Sequence, residues 1–140
     1  LIVASREAKF GLPEVKRGLA AAGGGLLRLP QRMPYHIAME CILTGDMLSA
    51  ERAHQNGLIN RLTEPGAALD AAIELANAVA ANGPLSLIAS KRVATESVDW
   101  TREEMFDRQA EITNPVFASQ DAREGASAFA EKRKPVWKGV

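Results

Sequence analysis

Apolar positions follow two rhythms along this chain, and the change between them comes near Thr63. Leu1-Ile2-Val3-Ala4 is a short β-prone run, and residues 8–11 predict a second strand. Leu12-Pro13-Glu14-Val15 predicts a helical turn, with Pro13 where its missing N–H costs nothing, and Gly18 interrupts it. After the small-residue run of residues 20–25 a helix is expected, with Leu26, Leu27 and Leu29 as core contacts and Pro30 in its path. Residues 34–43 place Ile37, Ala38, Cys41 and Ile42 at helical spacing, and Thr44-Gly45-Asp46 ends that helix. Ser49 is the expected N-cap of a short helix over residues 50–55, with Gly57 as its C′ glycine. Residues 58–62, Leu-Ile-Asn-Arg-Leu, read as a strand.

From Pro65 onward the pattern is helical. Residues 67–81 repeat apolar side chains at Leu69, Ile73, Ala76 and Ala80, and Asn82-Gly83-Pro84 breaks the run. A helix over residues 85–98 follows. Thr101-Arg102-Glu103-Glu104 has the form of a capping box, Pro115 is expected to interrupt the helix it opens, and Ser119 caps a last helix reaching about Lys132. The chain therefore divides into a mixed part, 1–62, and a helical part, 63–140. Internal repeats and low-complexity tracts are absent. The opening Leu1-Ile2-Val3-Ala4-Ser5 has no methionine and reads as the middle of a buried strand. The expectation is a fragment of a longer protein, whose isolated 140 residues would leave strand edges and apolar faces uncovered and would aggregate or stay partly unfolded.

Composition changes this picture little. Hydrophobic residues make up 46% and charged ones 24%, a globular balance. Lys+Arg and Asp+Glu both number 17, so the basic excess of a phosphate-binding nucleic-acid protein is missing. No apolar stretch approaches a membrane span. Cys41 is the single cysteine, so no intrachain disulfide forms, which fits a reducing, cytoplasmic setting; its apolar neighbours make it a buried small hydrophobe rather than a nucleophile. His36 and His54 have no partner at metal-ligand spacing, so no metal site is expected. Trp100 and Trp137 read as packing anchors, and Asp70, Glu74, Glu103 and Glu104 as solvated helix faces.

Two features could carry chemistry. Glu14 stands at the head of a helical turn, beside apolar residues. A helix N-terminus favours its anion, whereas apolar enclosure raises its proton affinity, and these opposing pulls are how a carboxyl group is set up for acid–base work. Local context alone favours a plainer reading, a first-turn glutamate in solvent. Gly23-Gly24-Gly25 could let backbone N–H groups approach an anion or a carbonyl oxygen, or could be a tight turn; no Gly-Lys-Ser/Thr follows, so it is not a P-loop.

Taken together, Phe10-Gly11-Leu12-Pro13-Glu14-Val15, Gly18, Ala22-Gly23-Gly24-Gly25 with Arg28-Leu29, Ala38-Met39-Glu40, Leu43-Thr44-Gly45-Asp46, Ser49-Ala50-Glu51-Arg52-Ala53, Gly57-Leu58-Ile59-Asn60 and Asp121-Ala122-Arg123-Glu124-Gly125 through Pro135 resemble the crotonase (enoyl-CoA hydratase/isomerase) superfamily. The matches are ordered and run nearly end to end. The resemblance implies an α/β fold: the C-terminal part of a crotonase-like ββα spiral core, then an all-helical C-terminal oligomerisation region that builds trimers or dimers of trimers. It implies acyl-CoA thioester substrates, no separate cofactor because coenzyme A is part of the substrate, and neither a nucleic-acid nor a membrane partner.

By the same resemblance Glu14 matches the second of two hydratase glutamates, which protonates the α-carbon or helps hold the water. The first glutamate and both oxyanion-hole donors belong to motifs before Leu1. Ala22 and Gly23 would supply backbone contacts to water or substrate; Ala22 stands where many members have glycine. Phe129 and Lys132 are either a solvated basic helix end or, by the family pattern, contacts to the adenine and phosphate of CoA bound to a neighbouring subunit. Three residues apart, they are expected to share a helix face. The leading expectation is an enoyl-CoA hydratase, a lyase adding water to 2-enoyl-CoA thioesters of the kind met in fatty-acid β-oxidation. The alternatives are an enoyl-CoA isomerase and, from another class, a non-catalytic oligomerisation and CoA-edge module lacking the oxyanion hole.

Overall fold

A computed structural model describes all 140 residues. They fall into two compact units, Leu1–Leu75 and Ala76–Val140. The first holds every strand. β1 (Val3–Ser5) pairs in parallel with β4 (Arg61–Thr63), Val3 opposite Arg61 and Ser5 opposite Thr63. β2 (Lys9–Phe10) pairs antiparallel with β3 (Leu48–Ser49). Parallel strands need a crossover between them. Here it contains the 3-10 helix Pro13–Arg17 and the helices α1 (Gly25–Arg32), α2 (Tyr35–Thr44) and α3 (Ala50–Gln55).

The core of this unit is Ala4, Met33, Ala38, Leu48, Ala50, Ala53 and Ile59, with Phe10, Leu29, Ile37, Leu58 and Leu62 packed on it. Leu27, expected inside, is 74% exposed. Pro30 lies within α1 without ending it. Ser49 caps α3 as expected, its Oγ accepting the Arg52 N–H at 3.2 Å. The strand expected over residues 58–62 starts later, at Arg61. The reason lies at the end of α3: the Leu58 N–H donates to the Ala53 carbonyl at 2.9 Å and the Gly57 N–H to that of His54 at 3.0 Å. This is a Schellman closure, and it commits Leu58 to the helix end while Leu58 and Ile59 still pack inward.

α4 (Ala68–Ala80) buries none of its residues; Leu69 is 70% and Ile73 49% exposed. The second unit continues with α5 (Pro84–Glu96), a 3-10 turn at Ser97–Asp99, α6 (Met105–Phe117) and α7 (Gln120–Ala130). Half of the expected capping box forms, with Glu104 Oε1 accepting the Thr101 N–H at 3.1 Å, but regular helix begins only at Met105. Pro115 lies inside α6, which runs on to Phe117 rather than stopping. So near the helix end a proline removes a single ladder bond with little helix left to lose.

α7 starts as expected, Ser119 Oγ accepting the Ala122 N–H at 3.0 Å. It ends at Ala130, not near Lys132. Lys132 adopts the left-handed conformation, φ 55°, while the Arg133 N–H donates to the Ala128 carbonyl at 3.0 Å and the Lys132 N–H to that of Phe129 at 3.3 Å. The expectation that Phe129 and Lys132 share a helix face is therefore corrected: the chain has left the helix before Lys132.

Residues after Lys132 fold back as a strap. The buried Asp121 carboxylate accepts the N–H groups of Lys138 at 2.7 Å and Gly139 at 2.9 Å. Trp137, an anchor as expected, donates its indole N–H to the Ala81 carbonyl at 2.8 Å and packs beside Gly83 and Gly125. Glu124 takes both terminal nitrogens of Arg133, at 2.6 and 3.0 Å, and the Val136 N–H at 2.8 Å.

The Arg133 guanidinium, and after it the Val136 amide, hold the Glu124 carboxyl at about 2, well below its ordinary value of 4.5. A carboxylate depressed on folding stabilises fully above its unfolded pKa and loses that contribution as pH falls through the folded one. Denaturant stability is thus expected to fall between about pH 4.5 and 2, and Glu124→Gln to flatten that segment of the profile. Equal slopes for the two proteins would remove Glu124 as the cause.

Candidate active site

Pro13 opens the 3-10 helix that carries Glu14, and Gly18 closes it in the left-handed conformation. Its own hold on itself is slight. Leu12, the residue before it, offers no side-chain cap, and the closing bonds are Gly18 N–H to Val15 O at 3.2 Å and Leu19 N–H to Glu14 O at 3.1 Å. Glu14 is half-buried rather than solvated, and its Oε2 is buried with no hydrogen-bond partner. It is the sole side-chain oxygen or nitrogen so placed in the chain. Leaving a buried acceptor unpaired costs free energy, so such an atom calls for an explanation. A dry, unpaired carboxylate oxygen keeps its lone pairs for a proton or for a donor carried by a ligand.

Val15 and Lys16 of the same turn lie against the corner that follows α2. A Cβ built on Gly45 would stand 2.9 Å from Val15 Cγ2 and 3.1 Å from Lys16 Cγ, and Gly45 has φ 67°. Lys16 Nζ pairs with Asp46 Oδ1 at 2.5 Å. This ion pair first holds Asp46 below its ordinary carboxyl range through the hydrogen bond, then through charge attraction. Sequence reasoning took Gly45-Asp46 as a helix stop and missed this contact. The opposite charges at 16 and 46 are the one trace of it, and nothing local singles them out.

The glycine run lies beside the turn. A Cβ on Gly25 would sit 2.6 Å from Leu12 Cδ2, so the start of α1 touches the residue before Pro13. Ala22 and Gly23 are exposed. The Ala22 N–H already donates to the Ala20 carbonyl at 2.8 Å, so it is not a free donor; the Gly23 N–H has no acceptor within the chain. A cavity of about 310 Å³ opens next to them, lined by Phe10, Leu12, Gly25, Leu29, Cys41 and Leu48, with Arg28 and Arg32 among its other walls. Its lining is almost wholly apolar. Glu14 does not line it; the two residues preceding Pro13 do.

In the second unit Phe129 is 88% exposed at the end of α7, and Lys132 is exposed just beyond it. Neither makes a hydrogen bond or ion pair with its side chain. His36 and His54 are exposed, and no group of three or more His, Cys, Asp or Glu side chains stands where it could hold a metal ion. Cys41 is buried, with Sγ 3.5 Å from the Asp46 carbonyl.

A family model described as enoyl-CoA hydratase/isomerase matches residues 1–140. An enoyl-CoA hydratase of Mycobacterium tuberculosis, EchA19, is 43% identical over 133 residues, which cover 95% of this chain and 50% of that protein. A carnitinyl-CoA dehydratase of Salmonella paratyphi A is 39% identical over 142 residues, covering 99% and 54%. Among solved structures, an enoyl-CoA hydratase from Mycobacterium tuberculosis H37Rv superposes with a TM-score of 0.97 at 63% identity, covering all of this chain and 56% of that one. EchA1 from Mycobacterium marinum gives the same values. The chain thus spans about half the length of the relatives it matches. With the family pattern matched from first residue to last and the α/β fold shared, this chain belongs to the enoyl-CoA hydratase/isomerase family of the crotonase superfamily.

Proposed function

We propose that the whole protein adds water to, or removes it from, a 2-enoyl-CoA thioester, with Glu14 as an acid–base residue. The observation that carries this reading is the buried, unpartnered Oε2 of Glu14, at the position the family motif reserves for a catalytic carboxyl. In hydration, water oxygen bonds to the β-carbon as the double-bond electrons shift toward the thioester. The attacking water loses one proton to a base, and the α-carbon gains one from an acid; Glu14 either delivers the proton to the α-carbon and is reprotonated by the one the water lost, or holds the water that attacks. The donors that would hold the enolate oxygen are not among the residues assigned here. Coenzyme A enters as part of the substrate, so the chemistry needs no separate cofactor. Relatives named hydratase and dehydratase favour water transfer over double-bond migration.

Phe129 and Lys132 suit the outer part of a CoA molecule. An exposed ring offers a stacking face for adenine, and an ammonium free of any carboxylate offers charge to phosphate. Gly23 offers an uncommitted backbone N–H, whereas Ala22 serves as a spacer in the turn. The helices after Thr63 suit self-association. The second unit buries only Ala89 and Ala128 among its apolar side chains, while Val98 is 79% and Phe117 77% exposed. Exposed apolar side chains on these helices support the reading of this part as an interface. No helix is long and apolar enough to cross a membrane. A trimer or dimer of trimers, in a reducing cytoplasmic compartment that suits the lone thiol, is the assembly we assign.

Glu14→Gln in the whole protein is expected to slow hydration of crotonyl-CoA by about 10²–10⁴-fold; a fall smaller than about tenfold would refute the acid–base role. Phe129→Ala and Lys132→Ala are each expected to raise KM about five- to tenfold with kcat within about twofold, the mark of binding lost equally from ground and transition states. Unchanged KM would return that pair to the solvated helix-end reading. Sedimentation velocity should give three or six times the protomer mass, and a monomer at micromolar concentration would contradict the assembly.

A further inference from the structure

We propose that the corner at Gly45 and Asp46 is the positioning element that aims the Glu14 carboxyl. The inference rests on the acid–base reading of Glu14 and goes beyond it, because it assigns a role to three residues, Lys16, Gly45 and Asp46, to which that reading gives no part.

The turn carrying Glu14 cannot aim itself. It is a 3-10 helix of five residues without a side-chain cap. Isolated helical turns are unfavourable to nucleate, and a reacting group displaced by about 1 Å can lose about 10²-fold in rate. Its direction must come from what it docks against, and the structure names that support. Val15 and Lys16, the next two residues after Glu14, lie on Gly45 at distances that leave no room for a Cβ. Val15 is β-branched and has few rotamers with which to swing away. Gly45 also needs the left-handed conformation, so glycine is required there twice.

The support is firmer than the turn it holds. The Gly45 N–H donates to the Cys41 carbonyl at 3.1 Å. The Asp46 N–H donates to Thr44 Oγ1 at 3.1 Å, and that hydroxyl donates to the Glu40 carbonyl at 2.7 Å. Cys41 and Ile42 are buried, which fixes α2 behind the corner. At the other end of the same stretch, Lys9 and Phe10 pair with Ser49 and Leu48. The segment bearing Glu14 is thus tied to residues 45–49 on both sides of the carboxyl. Lys16–Asp46 is the last tie, and its side chains are 51% and 72% exposed. Exposed pairs contribute little to global stability. Breaking this one should therefore alter aim while leaving the fold in place.

The test is steady-state hydration of crotonyl-CoA by the whole protein. Asp46→Lys is expected to lower kcat about three- to fivefold, the range an exposed ion pair can command. KM should stay within about twofold and the melting temperature within about 2 °C, as befits an exposed pair. The double exchange Lys16→Asp with Asp46→Lys restores the pair with reversed polarity and should recover kcat to within about twofold. Gly45→Ala should cost more, about tenfold or beyond. Full kcat in Asp46→Lys overturns the proposal. So does a loss that follows the melting temperature and is not recovered by the exchange, because that is an ordinary structural role. Glu14→Gln, run alongside, separates the two readings. If it is inactive while Asp46→Lys is fully active, only the positioning role falls; if it keeps more than about a tenth of the activity, both fall.

Discussion

Backbone meets side chain without an intervening Cβ where Gly45 touches Val15 and Lys16, and several elements of the first unit lead to that approach. α2 reaches the corner by burying Ala38, Cys41 and Ile42. Its outer face is tied to α3 by the Glu40–Arg52 fork, at 3.1 and 2.7 Å. The strand pair β2–β3 lays residues 9–10 beside residues 48–49, so the chain enters the Glu14 turn already in register with the segment that will support it. Close contact demands glycine at 45 and tolerates little else, because a methyl group there would meet a stiff valine and an unfavourable backbone conformation together.

The turn docked in this way carries a half-buried carboxyl that has an oxygen with no partner. A flexible glutamate would turn toward water. Glu14 instead keeps Oε2 buried and unpaired, on a turn whose next two residues rest on Gly45. The fold bears the cost of that orphan, which is what the proposed acid–base role of Glu14 would account for. The apolar cavity walled by Phe10, Leu12 and Leu29 adjoins the start of this turn through Gly11 and Leu12, the two residues before Pro13.

The second unit is organised differently. It has almost no dry interior, and its order comes from polar ties to a returning strap: Asp121 on two backbone amides, Trp137 on the Ala81 carbonyl, Glu124 on Arg133. Lys132 occupies the left-handed position that glycine usually takes after a helix. A non-glycine residue in that conformation is locally strained, and Lys132 stands just past the helix end, three residues after the exposed Phe129. Apolar side chains left outside the unit, such as Phe117 and Val98, are the counterpart of its thin core.

Much of this was legible in the amino-acid order, where the governing physics is local. Ser49 and Ser119 cap the helices they precede, Gly57 closes α3, and Pro13 starts the turn of Glu14, because capping and proline geometry act within a few residues. The motif around Glu14 and the run of residues down to Pro135 also identified the family from sequence. Local rules failed where a distant partner decided the outcome. Strand β4 began at Arg61 rather than Leu58 because the end of α3 claimed the Leu58 amide. Leu27 faced out although its neighbours predicted a core position, and α7 stopped short of Lys132. The sequence by itself determined which residue types stand where chemistry is possible. Only the tertiary structure decided that Gly45 and Asp46 grip the Glu14 turn from thirty residues away, since a contact made by removing a Cβ and pairing two surface charges leaves no periodic signal along the chain.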